Sequence, residues 1–244
     1  SWTNAGTASI SWSGVVDYLS DGTQLTTLEP GGRIEYSVDG VSSWQTTGKN
    51  TASGTYILDT SALADGTHSV YIRGVDKDGN EGAPRGAQIK IDRTAPTAPS
   101  VNAVPDDWTN DTSVTINWSG ISDLSGISRV EYSVDGLSWI SSGSALDSDA
   151  KSLDISGNIE GIHGVRVRAI DLAGNEGQAG ETSFYKDTKA PVADSVVASP
   201  ASWTDDNTIN IAWTNLADTH AGLASLEYSV DGSAYAALDH TLAN

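Results

Sequence analysis

Glu131-Tyr132-Ser133-Val134-Asp135-Gly136 is one of three copies of a phrase that recurs at 35–40 and 227–232. Val130, Tyr132 and Val134 share one parity, polar residues fill the other, and Asp-Gly closes the run. Alternation of period two marks a half-buried β-strand, and Asp-Gly marks a tight hairpin. Tyr36, Tyr132 and Tyr228 stand 96 residues apart. That length suits one β-sandwich per copy and exceeds a solenoid unit.

Outward from this phrase the same grammar continues. Val114, Ile116 and Trp118 form a strand ending in tryptophan, matched by Ala8/Ile10/Trp12 and Ile209/Ile211/Trp213. Val165, Val167 and Ala169 form another, matched by Val70/Ile72/Gly74. Gly79-Asn80 and Gly174-Asn175 are further turn signals. In the second copy the pattern predicts strands A 99–105, B 112–118, C 128–135, C′ 138–142, E 151–155, F 163–171 and G 181–187. No stretch has sustained helical periodicity. The expected fold is all-β: tandem immunoglobulin-like (fibronectin-III-like) β-sandwiches in an extended rod, with units at 1–93, 94–188 and 189–244. The first is expected to lack strand A, and the third to hold only the N-terminal half of a sandwich. Half a sandwich leaves a core face and a sheet edge bare. Either the chain continues beyond the sequence shown, the simpler account, or a neighbouring chain completes it. Thr94-Ala95-Pro96 and Lys189-Ala190-Pro191 are short, stiff junctions, since proline fixes φ.

Composition narrows the function classes. The 244 residues hold 13 Lys+Arg against 32 Asp+Glu, a formal net charge of −19. Nucleic acid and anionic membrane surfaces demand the opposite sign. The excess of carboxylates suits a hard cation such as calcium. Without cysteine there is no disulfide, zinc–thiolate site or thiol catalysis. No apolar run approaches the ~20 residues of a membrane span.

Asp171-Leu172-Ala173-Gly174-Asn175 followed by Asp187-Thr188-Lys189-Ala190-Pro191, and their counterparts Asp76–Asn80 and Asp92–Pro96, resemble the bacterial immunoglobulin-like repeats of large surface adhesins. The Glu-Tyr-Ser-Val-Asp-Gly block and Glu160-Gly161-Ile162-His163 add to the likeness. The resemblance spans essentially the whole chain. It implies an extended rod, often stiffened by calcium, in an extracellular, cell-surface setting. Such modules serve as stalks, adhesive tips or accessory domains of secreted enzymes.

The best site candidate is a calcium ion at each junction between units. In an immunoglobulin-type sandwich the B–C and F–G loops lie where the chain enters, and strand G leaves at the other end. Asp92 therefore arrives beside Asp123 in the next B–C loop and Asp171 and Asn175 in the next F–G loop, a convergence of oxygen ligands. Asp187 and Asp218 are expected to repeat the arrangement, incompletely, at the second junction. The competing reading is that Asp171 and Asn175 merely shape a tight hairpin. Trp12, Trp118 and Trp213 have core parity, Trp2, Trp108 and Trp203 are expected to cap the core, and Trp44, Trp139 and Tyr235 to cover a sheet face in preference to gripping a sugar. Arg73, Arg166 and Arg168 are expected to pair across strands with acidic neighbours such as Glu35 and Glu131, and His68 and His163 to be structural. The insertion at 15–32, with Asp17, Tyr18, Asp21 and Glu29, is the one element without a counterpart, suited either to a specific contact or to plain flexibility. The function expected is non-catalytic: a stalk or adhesive array whose partners are neighbouring repeats and, at its surface, a glycan or protein. The alternatives are a filament or sheath subunit completed by other copies, and an accessory region of a secreted polysaccharide-degrading enzyme.

Overall fold

The computed structural model describes residues 1–18, 23–25, 28–205 and 207–238. In the second unit the alternating runs form β10 (Ser100–Val104), β11 (Trp108–Thr109), β12 (Ser113–Ser119), β13 (Ile127–Val134), β14 (Ile140–Ser141), β15 (Asp149–Asp154), β16 (Gly161–Asp171) and β17 (Gly180–Lys186). They make two sheets, β10-β12-β15 and β11-β17-β16-β13-β14. Inward residues of both sheets meet in one core: Ala103, Val114, Ile116, Trp118 and Leu153 from the first, Val130, Val165, Val167, Ala169 and Phe184 from the second. Period two places these side chains on one face of each strand, so the alternation read in the sequence is the core itself. At Asp135-Gly136 both residues take positive φ, 52° and 72°, the twist that a two-residue hairpin needs.

The first unit repeats the plan with β1 (Trp2–Thr3), β2 (Thr7–Trp12), β3 (Asp17–Tyr18), β4 (Gln24–Leu25), β5 (Arg33–Val38), β6 (Gln45–Thr46), β7 (Gly54–Asp59), β8 (Gly66–Val75) and β9 (Arg85–Ile91). Its sheets run β1-β9-β8-β5-β6 and β2-β7, with β3-β4 a separate hairpin inside the inserted loop. Asp21 lies outside the described residues, but Leu28 of the same insertion is buried in the core beside Ile10, Trp12 and Ile34. The insertion is thus anchored by apolar packing. Each core tryptophan also has a polar anchor: the indole of Trp12 donates to the Thr51 carbonyl and that of Trp118 to the Leu146 carbonyl.

The third unit has β18 (Ser195–Ser199), β19 (Asn210–Thr214), β20 (Glu227–Tyr228) and β21 (Ala236–Ala237), paired two by two. Here two expectations fail. Trp203 was expected to cap the core but is fully exposed, at 103%. Its counterparts Trp2 and Trp108 lie on short strands paired in parallel with β9 and β17. No strand G exists among the described residues of the third unit, so Trp203 has no seat. Tyr235 is likewise exposed, whereas Trp44 and Trp139 each have the guanidinium of a strand F arginine over the ring, Arg73 Cζ 4.1 Å and Arg168 Cζ 4.3 Å from the ring centroid.

The outward face of the larger sheet is a repeated ionic ladder. Arg73 bonds Glu35 and Glu81, and Arg168 bonds Glu131 and Glu176; Arg166 pairs with Glu181. Burial pushes the carboxyls of Glu35 and Glu131 up, but Arg33 and Arg73, and Arg129 and Arg168, outweigh it and hold both below the ordinary range. With their arginines covered by Trp44 and Trp139, these ladders brace strand C against strand F.

Candidate metal centre

The first junction is built by three segments. β9 runs out through Ile91 into Asp92, which is fully buried, and its backbone N–H donates to the Thr3 carbonyl. The loop after β12 brings Asp123, and the end of β16 brings Asp171, 1% exposed. Each of the three carboxylates offers an oxygen within 4.8 Å of the others. Asp92 Oδ2 accepts the Ser125 N–H at 3.1 Å, and that N–H also reaches Asp123 Oδ1 at 2.8 Å. Asp123 Oδ1 further accepts the Ser125 hydroxyl and the Gly126 N–H. Its other oxygen, Oδ2, is buried with no hydrogen-bond partner. Burial pushes the Asp123 carboxyl above its ordinary range; the hydrogen bonds from Ser125 oppose that, and the charges of Asp92 and Asp171 add to it. A buried carboxylate oxygen with no donor beside two other carboxylates fits a hard cation bound by oxygen ligands.

Asp171 has a second task. Its Oδ1 accepts N–H bonds from Ala173, Gly174 and Asn175, and Asn175 Nδ2 returns to its Oδ2. Asp76 does the same in the first unit, accepting from Asp78, Asn80 and the Asn80 amide. Both loops therefore hold the hydrogen bonds of a tight hairpin.

Asn175 takes a part different from the expected one. Its Nδ2 reaches the Asp92 and Thr94 carbonyls, and its Oδ1 accepts from Asn4 Nδ2 at 3.1 Å. It clamps the passing chain and ties the first unit to the second, and its side-chain oxygen is engaged by Asn4. At the second junction Asp187 is buried and Asp218 lies beside it. Asp187 Oδ2 accepts the Ala221 N–H and Oδ1 that of Lys189, while Asp218 Oδ1 accepts from His220 and Gly222. These backbone donors hold the Asp187 carboxyl below its ordinary range. No counterpart of Asp171 joins this pair among the described residues. The His220 ring packs against Trp108, which also touches Tyr185.

One feature escaped the sequence reading. Lys186 is buried, and its ammonium donates to the carbonyls of Ile155, Ser156 and Asn158 at 2.7, 3.0 and 2.9 Å. His68 and His163 each use both ring nitrogens, toward Asp39 and the Ala64 carbonyl and toward Asp135 and the Ile159 carbonyl. Contact with a carboxylate on one side and a carbonyl on the other calls for two N–H donors, hence a protonated ring. His240 lies outside the described residues.

The strand order, a three-stranded sheet facing one that runs G-F-C-C′, decides the architecture. The fold is that of tandem fibronectin-III-like modules. No family model matches the chain. Over 180 residues it is 32% identical to exoglucanase B of Cellulomonas fimi, covering 69% of this chain and 16% of that protein. The chain thus spans about a sixth of the curated relative it matches. Among solved structures it is similar to the fibronectin(III)-like modules of Clostridium thermocellum CbhA, at 19% identity and a TM-score of 0.35, covering 76% of this chain and 88% of that one. It is also similar to a Ca2+-stabilized adhesin of an Antarctic bacterium that binds ice, at 16% identity and a TM-score of 0.41, covering 78% and 46%. A tetra-tandem repeat from the extending region of a large adhesion protein is similar at 22% identity and a TM-score of 0.32, covering 80% and 53%. No helix among the described residues is long and apolar enough to cross a membrane.

Proposed function

We propose that this chain is a spacer: repeat units joined end to end, stiffened by calcium at the first joint, in the stalk or adhesive array of an exported bacterial or archaeal surface protein. It does no chemistry of its own. The observation that carries this reading is the meeting of Asp92 from one unit with Asp123 and Asp171 from the next. Uncompensated, that meeting costs free energy; with a divalent ion it becomes a cross-link between units. Asp92, Asp123 and Asp171 would hold the ion through carboxylate oxygens. Asn175 and Asn4 clamp the joint around it. Tandem units that each bury their own core add length, and the joints decide whether that length is stiff. Small-angle X-ray scattering of the chain in calcium and in chelator tests this. The expected result is a longer, less flexible particle in calcium. Identical curves together with no calcium binding by calorimetry would overturn it.

A second reading has its own support. The 32% identity to part of exoglucanase B favours an accessory region of a secreted polysaccharide-degrading enzyme. Both readings give the segment the same mechanical task. A catalytic domain in the parent protein would select the second.

A further inference from the structure

The first two units fasten the segment by which the chain leaves them to the same loop, and they do so with different residues. In the second unit, loop 155–160 joins β15 to β16, strands of opposite sheets. Lys186, at the end of β17, donates to the carbonyls of Ile155, Ser156 and Asn158. Two residues on, Thr188 gives its N–H, at 2.8 Å, and its hydroxyl to the Glu160 carboxylate. Between them the Asp187 N–H reaches the Thr109 carbonyl of β11, which runs parallel to β17. In the first unit, loop 60–65 joins β7 to β8, again across the two sheets. Thr60 holds the place of Ile155, since their N–H groups bond the carbonyls of Gly6 and Thr112, each just before strand B. The Arg93 guanidinium takes the Thr60 and Leu63 carbonyls, and the Thr94 hydroxyl takes the Asp65 carboxylate. The strand pairing makes Ile91 the counterpart of Lys186 and puts Arg93 where the second unit has Thr188. Ile91 is fully buried, so packing at that place does not call for a lysine. A basic group on the loop carbonyls and a threonine on the loop acid are thus reached from non-equivalent positions.

We propose that this constellation is a tension latch: when the chain is pulled, it passes the force leaving a unit into both sheets and keeps strand G from peeling off strand F. A pull on the exit draws β17 along its own axis. The bonds of β17 to β16 lie across that direction, so they are loaded together. A pull that turns sideways at the joint loads them one at a time, starting at residues 186–188. The latch sits at that starting point. Its anchor is the loop between β15 and β16, so the force divides between the two sheets and crosses the core. In the second unit Lys186 supplies three bonds and Thr188 two. Opening the exit must break several of these at once, which slows unfolding under load. The inference rests on the spacer reading for the tension itself. It does not rest on calcium, because each latch lies within one unit.

The test pulls the second unit within the whole chain. The sequence has no cysteine, so introduced pairs place the handles. Ala98→Cys with Ala193→Cys, both at exposed positions, sends the force out through the exit. Ala98→Cys with Leu137→Cys, also exposed, lets it leave by the C–C′ turn and spares the exit. Force-clamp spectroscopy in chelator reads the unfolding rate at a fixed force. With the exit loaded, Lys186→Met should raise that rate about tenfold or more. Glu160→Ala should raise it several-fold, and it carries the test if Lys186→Met does not fold. With the turn loaded, both should change the rate less than about twofold. An unchanged rate with the exit loaded would show that the unit yields elsewhere. Equal acceleration in the two geometries would show a part in general stability only. Either result overturns the latch. Failure of the spacer reading looks different: no stiffening in calcium by scattering, with the dependence on pulling geometry intact.

Discussion

Replacing Asp92 by asparagine tests the first joint, because the effect changes sign with calcium. The three carboxylates have oxygens within 4.8 Å of one another. At an effective dielectric of 20, one such pair of charges costs about 3 kcal/mol. Asp92→Asn removes two of the three pairs. It keeps one oxygen for the Thr94 N–H; an amide nitrogen replaces the oxygen that accepts from Ser125, whose N–H retains Asp123 Oδ1. Burial already biases Asp123 toward its neutral form, so part of the repulsion is relieved before the substitution. In chelator the variant should therefore melt higher than the parent, by about 1–2 kcal/mol of added stability. In calcium the order reverses. The parent gains about 2.7 kcal/mol at a hundred times its Kd, roughly 10 mM for a site of extracellular type, and the variant gains little. For a unit of this size each kcal/mol moves Tm by about 4–8 °C, so the parent should rise by ~10 °C or more. Calorimetry of both proteins in both buffers is the assay. A variant that melts lower in chelator would show that the charges are not in conflict, and an unshifted parent in calcium would show that no ion is bound.

Three further outcomes are expected. His68 and His163 both have raised ring pKa: Asp39 leads for the first, and for the second burial is outweighed by Asp135 and the Ile159 carbonyl. A raised folded pKa gives stability that is full below about pH 6.5 and is lost as pH rises through the folded value; Tm should fall across that window, and Asp135→Asn should flatten the second unit's share. Lys186→Met strands the buried Ile155 carbonyl and the partly buried ones of Ser156 and Asn158 and should cost about 2–3 kcal/mol, read from urea unfolding of the second unit. Trp139→Ala uncovers Arg168 and should cost about 1–2 kcal/mol, while sugar titration should leave the parent's tryptophan fluorescence unchanged.

What could be read from sequence was whatever follows from period and topology. The parity of Trp118, Tyr132 and Val167 predicts which face each strand buries, and all three contribute to the core. The meeting of Asp92 with Asp123 and Asp171 follows from which loops share an end of the sandwich. What escaped was set by neighbours that have no local signature. The strands Trp2–Thr3 and Trp108–Thr109 are two residues long and pair in parallel with distant partners, so they show no alternation. Trp203 repeats their sequence, but among the described residues no strand G lies beside it to give it a seat. Lys186 reads as a surface lysine until the carbonyls of 155, 156 and 158 are seen to converge on it. Leu28 lies in a glycine-bearing insertion, and only its packing with Ile10, Trp12 and Ile34 shows it to be core.

Turn chemistry and cation binding at Asp171 first present themselves as rivals, and the first unit shows why they are not. Asp76 makes the same hairpin bonds as Asp171, yet it belongs to no group of three or more metal-ligating side chains among the described residues. The hairpin thus stands without a cluster, and nothing in the turn requires Asp92 or Asp123. Conversely, the turn points one carboxylate oxygen of Asp171 into its own backbone and leaves the group fixed in place before any neighbour arrives. A ligand already held by its loop loses little freedom on binding an ion. Adding the next unit brings Asp92 to a preformed acceptor, so the joint is assembled from parts that each unit holds in order for its own stability. On that logic a charge cluster at the joint needs no dedicated loop. It requires only that a carboxylate leave one unit where the next unit's turn already waits.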